Sequence, residues 1–221
     1  MHCVASQRLV GYANSANPPY ISILMKPFSQ SSEENKEPIL DVLRMVFASR
    51  RRVLEIGSGT GQHAVYFAGQ LPHLFWQPSE LAENLPGIHA WLAEADLQNV
   101  AAPLVLDIER QPWPGAAADA VFSANTAHII SWSQVESLFA GIGALLPAGG
   151  VFALYGPFNY DGRFTSDSNA RFDQWLKARD PLSGVRDFEA VDALARAAGM
   201  TLERDYAMPA NNRTLVWHKT A

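Results

Sequence analysis

Three glycines at alternate positions, Gly57, Gly59 and Gly61, follow the apolar run Val53-Leu54-Glu55-Ile56 and precede a helix-forming stretch. Glycine has no Cβ, so it adopts φ > 0 and lets backbone come into van der Waals contact with a ligand. A strand-to-helix turn built this way predicts a nucleoside held against the loop, with Glu55, Gly57, Ser58, Gly59 and Gly61 as the candidate contacts. The spacing narrows the ligand. A dinucleotide fingerprint, G-x-G-x-x-G, would place its third glycine at position 62, where this chain carries Gln62. A tight turn with no ligand is the plain alternative.

Further candidates stand where later strands are expected to end. Glu80, in Ser79-Glu80, can accept both ribose hydroxyls, or it is a solvated surface acid. Asp107 can bond an adenine amino group with Ile108 against the ring, or it caps a helix. Asn125 and Thr126 can touch the ligand's polar tail, and His128 follows within a turn. An imidazole titrates near neutrality, so His128 is the first candidate general base, against a structural histidine beside Ile129 and Ile130. Tyr155 is the second catalytic candidate, as a hydroxyl donor or substrate-orienting group, against a packing aromatic. For substrate contacts the candidates are Asn35 and Lys36 before the first strand, and Phe158 and Arg163 after the fifth. Arg163 could clamp a carboxylate bidentately; surface ion pairing is the alternative.

The elements that must position these residues alternate. Ile39, Leu40, Leu43, Val46 and Phe47 recur at helical spacing and lead into a strand over 52–56; a helix over 60–70, a strand over 74–77 and a helix over 81–95 follow. Strands are expected over 100–106, 120–124 and 151–155, and Ser131 with Gln134 forms a capping box before another helix. An irregular insert over 157–184, with balanced charge, is expected to act as a substrate-side lid. A helix over 188–198 then stops at Gly199, before closing strands over 201–207 and 214–218. Such β-α alternation predicts an α/β fold with a mostly parallel seven-stranded sheet and helices on both faces. The short link 209–213 makes the last strand antiparallel. In open sheets of this kind ligands bind beyond the carboxyl ends of the strands, where the candidate residues fall.

Composition restricts the partners. The 221 residues, 48% of them hydrophobic, are enough for one sizeable core. A net charge of −5 argues against a nucleic-acid footprint and for a small-molecule substrate or a protein surface. Cys3 is the single cysteine and the six histidines are scattered, so neither a disulfide within the chain nor a metal site is expected, in keeping with a cytoplasmic protein. The uncharged stretch between Glu136 and Asp161 is broken by Pro147 and Gly149-Gly150, which argues for a buried core over a membrane span. Residues 1–24 read as an irregular extension before a domain over 25–221, with Met25 as a possible start. Sequence gives no oligomeric state.

The apolar strand, the acid and G-x-G-x-G form the first motif of class I S-adenosylmethionine (AdoMet) methyltransferases. Over Met25 to the C-terminus the chain resembles the methyltransferase-like protein 26 family, whose substrate is unassigned. The resemblance rests on Lys26-Pro27-Phe28-Ser29, Asn35-Lys36-Glu37-Pro38-Ile39, the glycine loop, Trp76-Gln77-Pro78-Ser79-Glu80 and Leu154-Tyr155-Gly156-Pro157-Phe158. Further matches are Asp161-Gly162-Arg163, Ser168-Asn169 with Phe172-Asp173, Arg179-Asp180-Pro181 and Met208-Pro209-Ala210-Asn211-Asn212. Glu80 stands where aspartate is common in that family. The resemblance implies the class I, Rossmann-like methyltransferase fold and AdoMet as cofactor; methyl transfer to an oxygen, nitrogen or sulfur of a small molecule is the expected reaction. Asn17-Pro18-Pro19-Tyr20 matches a motif of amino-methylating enzymes, but no apolar strand leads into it and it reads as coincidence. Two rival readings stand beside this one: an NAD(P)-dependent oxidoreductase, disfavoured by the glycine spacing and the absence of a Tyr-x-x-x-Lys pair, and a non-catalytic interaction protein on the same fold.

Overall fold

The computed structural model describes residues 26–115 and 117–220; the expected extension over 1–24, with Cys3, the Asn17-Pro18-Pro19-Tyr20 motif and Met25, lies outside the described residues. Helix α1 (Gln30–Val46) starts where Ser29 Oγ accepts the N–H of Ser32, and buries Ile39, Leu40 and Leu43. Then come β1 (Arg52–Ile56), α2 (Gln62–Gln70), β2 (Phe75–Glu80), α3 (Leu85–Ala95), β3 (Leu104–Val105), β4 (Ala120–Ala124), α4 (Trp132–Leu145) and β5 (Val151–Gly156). The chain closes with β6 (Phe158–Asn159), α5 (Asp167–Arg179), β7 (Arg186–Asp187), α6 (Phe188–Ala197), β8 (Met200–Ala207) and β9 (Arg213–Lys219).

The main sheet has seven strands in the order β3-β2-β1-β4-β5-β9-β8, parallel except for β9, which runs antiparallel to both neighbours. Its central strands β1, β4 and β5 are buried on both faces, and the side chains of the sheet alternate between two cores. Leu54, Val121, Phe152, Leu154 and Trp217 pack with α4 and α6. Val53, Trp76, Phe122, Tyr155 and Val216 pack with α1 and α2. The capping box predicted at Ser131 and Gln134 starts α4, and Gly199, at φ 73°, ends the turn after α6. Among the described residues no helix is long and apolar enough to cross a membrane.

Two elements differ from expectation. The third strand is two residues long, not seven, because Pro78 in β2 has no N–H to offer on the side that faces it. Trp76 and Glu80 bond outward on that side, and between them the Gln77 amide reaches the Ala102 carbonyl at 2.7 Å. The 157–184 insert is not irregular: it contains α5 and, in β6, one strand of a separate parallel pair with β7. The inward face of α5 carries Asn169 and Asp173 before Leu176, so the apolar period that marks a packed helix is missing from its sequence. Asp173 is satisfied by the backbone N–H of Val185 at 2.9 Å and by Lys177 at 2.7 Å.

Candidate functional site

The carboxyl ends of β1, β2, β4 and β5 meet beneath the first turn of α1. At β1 the chain turns through Gly57, Gly59 and Gly61, all at positive φ (72°, 54° and 90°). The three glycines serve different ends. A Cβ on Gly57 would stand 2.5 Å from Thr126 Oγ1, and one on Gly61 3.0 Å from the Ile88 backbone in α3. These two let neighbouring elements close in. A Cβ on Gly59 would meet nothing within 4 Å, so the backbone there faces open space. Beside it, Glu80 accepts the Gly59 N–H at 2.9 Å through Oε2 and the Leu81 N–H through Oε1. Each carboxylate oxygen keeps a lone pair for a further donor. An exposed glycine backbone next to a carboxylate suits a ribose diol, so the residues present fit a nucleoside.

Ser58 is buried, its Oγ accepting the Ser79 N–H at 3.1 Å, and it steadies the loop from beneath. Glu55 is a correction. It was expected to touch the cofactor, but it is 2% exposed and its carboxylate accepts the Trp76 indole N–H at 2.9 Å in the core. Burial pushes its pKa up to about 7 against that hydrogen bond and one from Ser58. At β3, Asp107 accepts the Glu109 N–H at 3.0 Å and pairs with Arg110 at 3.1 Å on the surface, while Ile108 packs against the core.

Beyond β4, Asn125 takes a left-handed conformation, φ 58°, and its N–H bonds the Tyr155 carbonyl at 2.9 Å. It borders two adjoining cavities, of about 550 and 540 Å³. The first lobe is lined by Asn35, Tyr155, Asn169 and Asn212 among others; the second by His128, Phe172, Trp175 and Arg179. Phe172 and Ser31 border both. The structure thus brings together Asn125, His128, Tyr155 and Asn35 of the expected site.

His128 is 5% exposed, edge-on to Phe172 at 5.2 Å. Burial, with the Arg186 charge nearby, holds its pKa down to about 4, so the imidazole is neutral at pH 7. Arg186 anchors the surrounding loop by donating to the carbonyls of Ala127 and Leu182, each at 2.9 Å. Tyr155 is 4% exposed, and burial raises its pKa against the opposing influence of the nearby Asn35 and Asn212 side chains.

Three substrate candidates fall outside the cavities. Phe158 is 1% exposed and belongs to the core on the α4 side, because the chain alternates sides after Gly156. Lys36 pairs with Glu33 and lies over the Tyr66 ring at 4.9 Å, on the flank of α1. Arg163 is exposed, closing a tight turn through Asp161 and Gly162 by two backbone bonds with Tyr160. Sequence reasoning placed Phe172, Trp175 and Arg179 in the substrate-side insert but did not single them out as site residues, because they lie on the unrecognised α5. It also missed His63, whose signal was a polar side chain one turn before Phe67 on an apolar helix face. Asn212, read as a turn former, also lines the first lobe; Asn211 beside it is left-handed, φ 59°, as a turn former should be.

A family model described as "Protein of unknown function (DUF938)" matches residues 26–219. Among solved structures, an O-methyltransferase family protein from Burkholderia thailandensis superposes with a TM-score of 0.75 at 18% identity, covering 84% of this chain and 56% of its own. An O-methyltransferase family 2 protein from Planctomyces limnophilus DSM 3776, in complex with apigenin, gives 0.75 at 15% identity, covering 86% and 58%. Human N-acetylserotonin methyltransferase in complex with SAM gives 0.68 at 14%, covering 84% and 55%. The chain spans little more than half the length of these neighbours. Their likeness carries the fold: a Rossmann-like, class I methyltransferase α/β sheet.

Proposed function

The chain belongs to the DUF938 family, and on that premise we propose that it is an AdoMet-dependent methyltransferase acting on a small molecule. Within that reading it stands with the methyltransferase-like protein 26 group, and its working unit is the domain over 25–221 with the 157–184 segment on the substrate side. One observation carries the proposal: Thr126 packs on Gly57 of the glycine turn, and the preceding residue, Asn125, lines both lobes of a cavity whose wall includes a neutral, buried imidazole.

In this reading the loop over Gly57–Gly61 and Glu80 hold the nucleoside, Asp107 and Ile108 face the base, and Asn125 and Thr126 face the amino-acid part. When bound, AdoMet supplies a methyl group already activated on a sulfonium. The protein's share is then alignment and the exclusion of water. His128 lies in the wall of the second lobe and, being neutral, can accept a hydrogen bond or a proton from an incoming hydroxyl, amine or thiol. Phe172 and Trp175 give that lobe its apolar lining.

Titration calorimetry of the protein with AdoMet, S-adenosylhomocysteine and NADH tests the proposal. Binding of the first two without NADH is expected. NADH binding alone would turn the reading to an oxidoreductase, and no binding of any to an interaction protein.

A further inference from the structure

Helix α5 turns an aromatic face to the second lobe. Phe172, Trp175, Leu176 and Arg179 stand at i, i+3, i+4 and i+7, on one side of the helix, and all four line the lobe. Leu176 is buried, but Trp175 is 51% exposed. The rings of Phe172 and Trp175 are nearly parallel, 16° apart in plane with centroids at 5.7 Å, and the Arg179 guanidinium sits over the Trp175 ring at 4.6 Å. His128 meets the other end, edge-on to Phe172. Imidazole, phenyl, indole and guanidinium thus form one row along the lobe. Arg179 differs from the other cations of this region. Lys177 pairs with Asp173 at 2.7 Å, and Arg186 donates to the carbonyls of Ala127 and Leu182. Among the described residues Arg179 pairs with no carboxylate. Its neighbour Asp180, which also lines the lobe, accepts the Leu182 N–H at 2.9 Å through Oδ1. A guanidinium held by a ring keeps its N–H donors for another acceptor.

We propose that the second lobe takes a flat aromatic anion as methyl acceptor: rings stacked along Phe172 and Trp175, a carboxylate or other oxyanion on the Arg179 fork, and the nucleophile beside His128. The inference rests on the methyltransferase reading and names the class of its substrate. Parallel rings in the wall favour a flat partner, because offset stacking adds to the gain from burying area. A guanidinium without a carboxylate partner favours an oxyanion, which it can hold by two charge-assisted hydrogen bonds. In a chain of net charge −5 such a cation is also what brings an anion to this lobe and not elsewhere. Length sets the number of rings. Phe172 and Arg179 are two helical turns apart, about 10 Å along the axis, so one benzene ring falls short of the span and two fused or linked rings match it.

Titration calorimetry of the full chain without AdoMet tests this with two matched probes, 6-hydroxy-2-naphthoate and its neutral amide, 6-hydroxy-2-naphthamide. The carboxylate is expected to bind about tenfold or more tighter than the amide. Arg179→Gln should bring the carboxylate to the amide's affinity and leave the amide unchanged. Arg179→Lys, which keeps the charge but not the fork, should fall between. Trp175→Ala should weaken both probes. Both side chains are exposed, so these variants keep the fold. Equal affinities in the wild type, a carboxylate preference that survives Arg179→Gln, probes indifferent to Trp175→Ala, or no binding of either probe would overturn the inference. A wild-type protein that fails to bind AdoMet would instead sink the proposed function, while a carboxylate preference lost in Arg179→Gln would still stand as an aromatic anion site.

Discussion

The Glu80 carboxylate accepts the Gly59 N–H at 2.9 Å, so the acid at the end of β2 and the middle glycine of the loop form one unit. A ligand that bonds this carboxylate must lie along the open backbone of Gly59. Glu80→Ala is therefore expected to weaken AdoMet by about 1–3 kcal/mol, the cost of lost buried hydrogen bonds. Asp107→Ala should act in the same range through the base. Calorimetric affinities unchanged in both variants would show that the nucleoside lies elsewhere.

The two outer glycines and the middle one should respond differently to alanine. At Gly57 the new methyl would collide with Thr126 Oγ1 at 2.5 Å, in addition to the left-handed strain, so Gly57→Ala should lower stability by more than that strain alone. At Gly59 nothing lies within 4 Å, and the cost is the left-handed conformation, about 1–2 kcal/mol. Gly59→Ala should thus stay folded and yet lose AdoMet, because its methyl enters the ligand's space. Urea unfolding beside calorimetry separates the two; a Gly59→Ala protein with full affinity would remove the loop from the binding site.

Gln62, at the position where a dinucleotide loop would carry glycine, fastens the entry of α1. Its Oε1 accepts the Ser29 N–H and the Thr60 hydroxyl, and its Nε2 donates to the Ser29 carbonyl at 3.3 Å. α1 carries Ser31, Glu34 and Asn35 into the cavity wall. Gln62→Ala should cost about 1 kcal/mol, since it leaves the half-buried Ser29 N–H without a partner, while the Ser29 carbonyl keeps the Glu33 N–H at 3.2 Å. Amide exchange at the start of α1 should quicken more than in α4. Uniform exchange changes would mean that Gln62 acts on global stability alone.

The β-α alternation, the antiparallel β9 and the glycine turn were legible because they rest on local signals: apolar runs, Gly and Pro punctuation, a capping box at Ser131. What stayed hidden depends on side chains far apart in the chain. Glu55 reads as a loop acid until Trp76, 21 residues on, is seen to take its carboxylate. His63 and Asn35 are each an isolated polar residue on an apolar helix face, and their pairing appears only when α1 crosses α2. Helix α5 was lost for the same reason, since Asn169 and Asp173 are buried by bonds to Asn211 and Val185 and not by apolar contact.

Three buried groups set the acid–base behaviour of the fold, and they pull in opposite directions. His63 and His128 have pKa values held down to about 4, from an ordinary 6.5, by burial. The unfolded chain therefore binds two more protons there between about pH 6.5 and 4, and stability falls as pH falls through that window. Glu55 is raised from 4.5 to about 7, so in the fold it holds a proton that the unfolded chain has released, and its contribution falls as pH rises from about 4.5 to 7. Where the windows overlap, the net difference is one proton in favour of the unfolded state, a slope of about 1.4 kcal/mol per pH unit with stability increasing toward neutrality. The three groups together place the maximum near pH 6.5. Glu55→Gln can still accept the Trp76 indole N–H but cannot titrate. It should double the acid-side slope to about 2.7 kcal/mol per unit and abolish the decline between pH 6.5 and 7. Urea midpoints measured from pH 4.5 to 8 test this. An acid-side slope in Glu55→Gln equal to that of the wild type would mean that Glu55 is ionised in the folded protein and that its burial is offset by partners other than Trp76 and Ser58.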